Sequence, residues 1–96
     1  MKEDLSCPRR MAVFAVFDVI DSLRGKYEKA MAGDIKARVN VLGRTSEYAF
    51  AVTELSSEES ILHISLLQTM ERLTEEEKQL SLRYIMDSVL YHIDKA

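Results

Sequence analysis

The stretch DIKARVNVLGRTSEYAFAVTEL, residues 34–55, decides the fold class. Ile35, Ala37, Val39 and Val41 alternate with Lys36, Arg38 and Asn40. A period of two is that of a strand with one buried face. Gly43-Arg44-Thr45-Ser46 reads as a turn, and Tyr48, Phe50 and Val52 then alternate with Ala49, Ala51 and Thr53. Pairing Leu42 with Glu47 sets Val41 opposite Tyr48, Val39 opposite Phe50 and Ala37 opposite Val52, all on one face. A slip of one residue would split the apolar sets between faces.

Downstream, SSEESILHISLLQTMERL (56–73) admits two readings. Ser56 with Glu59 has the form of a helix capping box. Leu62, Ile64 and Leu66, however, alternate with His63 and Ser65. We expect a third strand, with Ile64 facing Val52 and Leu66 facing Phe50. The last segment is a clear helix. Thr74 with Glu77 makes a capping box, Glu75 and Glu76 suit the positive helix start, and Leu82, Ile85, Met86, Val89 and Ile93 form one apolar stripe.

Upstream lies RRMAVFAVFDVID, residues 9–21. Its apolar run is about half the roughly 20 residues that a membrane span needs. Asp18 and Asp21 interrupt any export signal, and Leu23-Arg24-Gly25-Lys26 is a poor cleavage region. Pro8 marks a helix start, and a glycine cap near Gly33 would end the helix after Met31. Residues 1–7 are expected to be flexible. The expectation is therefore one α+β domain over residues 1–96. It is a two-layer sandwich in the order helix, three-strand antiparallel meander, helix (αβββα), with both helices on one sheet face. This order and the acidic balance are similar to the opening half of type III secretion chaperones. The likeness is one of fold, carries no residues over, and implies a secreted protein partner.

The 96 residues carry a formal charge of −3, with +3 on residues 1–45 and −6 on residues 46–96. That balance argues against a general nucleic-acid binder. Cys7 is the only cysteine, so no disulfide forms within the chain, and a reducing cytoplasm fits best. His63 and His92 are the only histidines. They make no zinc cluster, the three glycines spell no phosphate loop, and no nucleophile motif frames a serine. We expect no enzyme, no cofactor and no metal.

Two surfaces invite partners. The first helix is apolar nearly all round, and Val13, Phe14, Val16, Phe17, Val19 and Ile20 would form a self-interface in a homodimer, be wrapped within the chain by the final helix and the Leu67–Leu73 segment, or else cover a different protein. The leading expectation is thus a small cytoplasmic interaction protein. The alternative is a small anionic ligand on the outer sheet face. There Lys36, Arg38 and His63 surround the small side chains of Ala49 and Ala51.

Overall fold

A computed structural model describes residues 1–29 and 34–95. The chain is α+β. Its elements are β1 (Lys2–Leu5), α1 (Arg9–Ser22), β2 (Lys26–Lys29), β3 (Ile35–Val41), β4 (Arg44–Glu54), β5 (Ser60–Thr69) and α2 (Glu75–Lys95). The strands form one antiparallel sheet in the order β1-β5-β4-β3-β2. The expected three-strand meander forms its centre, and one further strand lies at each edge. Both helices pack on one face and against each other.

The two edge strands correct the sequence reading. Residues 1–7 are not a loose tail. Lys2–Leu5 pair with Ser60–His63, and the terminal ammonium donates to the Ile64 carbonyl at 2.7 Å. Ser60 Oγ donates to the Cys7 carbonyl at 2.9 Å, and Leu5 and Cys7 are buried. A four-residue strand is too short for its alternation to stand out.

The first helix stops at Ser22 rather than near Met31; the glycine cap expected at Gly33 lies outside the described residues. The Gly25 amide bonds back to Ile20 O, and the Arg24 amide to Asp21 O. This pair of bonds is a Schellman closure with Arg24 in the left-handed position, φ 55°. A Cβ on Gly25 would lie 2.3 Å from Val39 Cγ1 and 3.1 Å from the Arg38 carbonyl. Gly25 thus lets the helix end press onto β3. Tyr27, which follows Val13, Phe17, Ile20 and Leu23 at helical spacing in the sequence, belongs to β2 opposite Ala37. It meets Phe17 from there, with ring centroids 4.7 Å apart.

The β3–β4 register also differs, by an even number of residues. Ile35 faces Phe50, Ala37 faces Tyr48, Val39 faces Ser46 and Val41 faces Arg44. The turn is Leu42-Gly43, with φ values of 54° and 83°, not Gly43–Ser46. Two positive φ values match the tight hairpin turns whose twist fits the strands. An even slip preserves the buried face, so the core is the expected one. The tighter turn gains the Val41–Arg44 and Asn40–Thr45 pairs, at the cost of burying Ser46. On β5, Phe50 faces Ile64 and Val52 faces Leu62, two residues from expectation, and a bulge at Glu47/Tyr48 leaves Leu67 as the extra residue.

Tyr48, Phe50, Leu62 and Ile64 from the sheet meet Val16, Val19 and Ile20 of α1 and Ile85, Met86 and Val89 of α2, all almost fully buried. The capping box of α2 forms as read: Thr74 N–H donates to Glu77 Oε1 at 3.0 Å, and Glu77 N–H to Thr74 Oγ1 at 3.1 Å. Glu77 also pairs with Arg44 of the hairpin.

Candidate functional site

The outer sheet face does not gather Lys36, Arg38 and His63 into one site. Lys36 pairs with Glu47 at 3.7 Å, and Arg38 lies on the same strand. His63 is on β5, opposite Ala51 on one side and Lys2 on the other. Two strand spacings and four residues along the strand separate it from Arg38, roughly 16 Å. It is exposed and has no part in what Arg38 lines.

Arg38 instead joins cations that the helix reading of residues 23–29 had hidden. Because α1 ends at Ser22, Arg24 and Lys26 come to the edge of the sheet. Lys26 faces Arg38 across the β2–β3 pair. Beyond Arg38, strand β3 has no β2 partner, since the pairing ends at Lys26. In that notch an open recess of about 460 Å³ is lined by Leu23, Arg24, Lys26, Arg38, Val39, Asn40 and Thr45. Its size is within the range of small-molecule pockets. Three of its lining residues are cationic and none is acidic. Among the described residues none of Arg24, Lys26 and Arg38 makes an ion pair.

Glu47, which faces Arg38 from β4, pairs with Lys36 instead, and the like charges of Lys26 and Arg38 across the ladder oppose folding by a few tenths to about 1 kcal/mol. An anion between them would reverse the sign of that term. Arg24 and Arg38 offer planar forks that match phosphate or carboxylate oxygens, and Lys26 a point charge. At the far wall Asn40 Nδ2 donates to Thr45 Oγ1 at 3.2 Å, which leaves the Thr45 hydroxyl proton free to donate to a ligand. A neighbouring recess of about 200 Å³ shares Lys26 and Arg38 but also carries Glu28, Lys36 and Glu47. Its mixed charge makes it the poorer anion site.

The residues read as an interface on the first helix take three positions. Val16, Val19 and Ile20 are buried in the chain's own core, Val13 and Phe17 are half-buried against it, and Phe14 is 61% exposed. Among the described residues no three His, Cys, Asp or Glu side chains gather as metal ligands, and no helix is long and apolar enough to cross a membrane.

No family model matches the chain, and no curated protein matches it. In structure it is similar to a chain of the adenylate sensor from AMP-activated protein kinase, crystallised with 5-aminoimidazole-4-carboxamide 1-β-D-ribofuranotide (ZMP). The TM-score is 0.65 at 7% identity, over 98% of this chain and 95% of that chain. At that identity the likeness is one of fold.

Proposed function

We propose that this protein is a non-enzymatic binding module whose ligand is a small anion, a phosphate-bearing molecule in particular, held in the recess at the end of α1. The observation that carries this reading is the lining itself: Arg24, Lys26 and Arg38 around one opening, with no carboxylate among its lining residues. The site needs no reacting group. Its cations orient and neutralise a ligand, and Asn40 and Thr45 give polar contacts on one side.

The reading keeps Arg38 from the sequence argument and replaces Lys36 and His63 with Arg24, Lys26 and Asn40. A thermal-shift and calorimetric panel of inorganic phosphate, phosphomonoesters and carboxylates tests it. Binding of a phosphate-bearing compound that Arg38→Ala weakens about 5–30-fold is the expected result, the equivalent of roughly 1–2 kcal/mol for one charge-assisted contact. Arg38 is exposed, so the variant should fold. No binding across the panel, or binding that Arg38→Ala leaves intact, overturns the proposal.

A further inference from the structure

The outward side of α2 is polar for the most part, but it carries three large exposed apolar residues. Its buried face is Ser81, Leu82, Ile85, Met86 and Val89. On the opposite side Leu80, Tyr84 and Tyr91 form one ridge and are 54%, 41% and 60% exposed. Leu42, 61% exposed at the hairpin tip, borders Leu80 in a shared recess. Single exposed apolar residues are ordinary, but here Tyr84 and Tyr91 flank Asp87 and Ser88 in one recess and Leu42 and Leu80 share another, so the four lie along one side of the molecule.

We propose that this ridge is the self-association surface of the protein, through which two copies pack α2 against α2 in antiparallel fashion about a two-fold axis. On this side of the helix the large residues are placed symmetrically about one point. Tyr84 and Tyr91 lie equally far on either side of a point between Asp87 and Ser88, and so do Leu80 and Lys95. A two-fold axis there places Tyr84 of each copy over Tyr91 of the other. Leu80 then lies under the aliphatic stem of Lys95, whose ammonium sits 5.5 Å from the Tyr91 ring centre. The charges agree with this direction. The first turn of α2 carries Glu75, Glu76 and Glu77, and the last turn His92 and Lys95. On this axis Glu76 of one copy comes about one helical turn from Lys95 of the other, His92 faces Arg83, and the helix dipoles oppose, whereas parallel packing would stack acid on acid.

Charged residues border both surfaces, Arg83 and Asp87 on α2 and Arg10, Asp18 and Asp21 on α1, but Phe14 is the one large apolar residue exposed on α1. The ridge of α2 therefore carries the association. Four side chains of this size bury roughly 400–500 Å² per copy, about half of a standard interface, so the dimer is weak and depends on concentration.

Sedimentation of the full chain between about 1 μM and about 1 mM, the range suited to an interface of this size, reads the result. The mass should rise from 11.0 kDa towards twice that value. Tyr91→Ser should hold the chain at 11.0 kDa with its circular dichroism unchanged, and Phe14→Ser should leave association intact. Under mild oxidation Asp87→Cys, next to the axis, should cross-link to itself, and Glu76→Cys, far from it, should not. Cys7 is buried and does not interfere. A monomer across the whole range, loss of association in Phe14→Ser but not in Tyr91→Ser, or self-linking of Glu76→Cys would each overturn the proposal.

Discussion

Replacing Arg24 by glycine should separate the ligand from the fold. Arg24 occupies the left-handed position that closes α1, φ 55°. A side chain there costs about 1–2 kcal/mol, which glycine relieves. Glycine in turn loses about 0.5–1 kcal/mol through the greater freedom of the unfolded chain. Removing a positive charge two residues past the C-terminal end of the helix forfeits a further 0.3–1 kcal/mol or so. These terms nearly cancel, so Arg24→Gly should unfold within about 0.5 kcal/mol of the parent, a shift of roughly 2–4 °C in Tm for a domain of this size. Affinity for phosphate-bearing ligands should fall about 5–30-fold, because one of three cations leaves the recess. Arg24→Ala makes the comparison sharp: it loses the same charge, keeps the strained Cβ and should be less stable than Arg24→Gly. Urea denaturation gives the stabilities and calorimetry the affinities. If Arg24→Gly binds as tightly as the parent, Arg24 serves the helix end and not a ligand. If its stability falls by more than about 2 kcal/mol, the account of the helix closure is itself wrong.

Gly25→Ala should destabilise the protein by about 1–3 kcal/mol, since the new methyl meets Val39 Cγ1 and the Arg38 carbonyl at separations real side chains do not reach; an unchanged urea midpoint would show that the helix end does not press on β3. The buried Tyr48 hydroxyl has its pKa raised above 10.0 by desolvation, partly offset by Ser81 and Ser46. Its stabilising contribution is present in full below pH about 10, the unfolded value, and is lost as pH rises through the higher folded value. Tyr48→Phe should therefore flatten the alkaline loss of stability, and an unaltered slope between pH 9.5 and 11 or so would assign that loss to other groups. Phosphate affinity should strengthen as pH rises through about 6, where the dianion forms, and then stay level to about pH 8, because arginine and lysine hold their charge over that range. A fall between pH 6 and 8, read by calorimetry, would bring a histidine back into the site.

The central hairpin and α2 were legible in the sequence because each repeats its signal over many residues. The alternation from Ile35 to Val52 identified the buried face even with the register wrong. The turn chemistry of Leu42-Gly43 was not legible, because leucine is a poor choice for a left-handed turn position. The edge strands were missed for a different reason. Lys2–Leu5 and Lys26–Lys29 have four residues each, too few for a period to declare itself, and Tyr27 fell by chance on the helical stripe of α1. That second miss hid the site. Once Lys26 is on a strand and Arg24 in a turn, both flank Arg38. The one local clue was Gly25, a poor helix residue placed where the apolar stripe weakens.

Among the described residues, only Arg24 and Leu42 hold positive φ values without being glycine. Each cost of about 1–2 kcal/mol is a sizeable part of the roughly 5–10 kcal/mol that holds a domain of this size together. Asparagine or glycine would relieve either one, and neither side chain repays the strain by burial, since both are exposed. Arg24 lines the cationic recess, and Leu42 extends the apolar ridge at Leu80. A local backbone rule broken without gain in the core points to a role for the side chain outside it. On that argument the two strained residues point to the two proposed surfaces, each of which already includes one of them. Leu42→Asn should then raise stability by about 1 kcal/mol while weakening self-association, as Arg24→Gly spares the fold while weakening anion binding. A Leu42→Asn chain that gains stability and still associates like the parent would break the link between strain and surface at the hairpin.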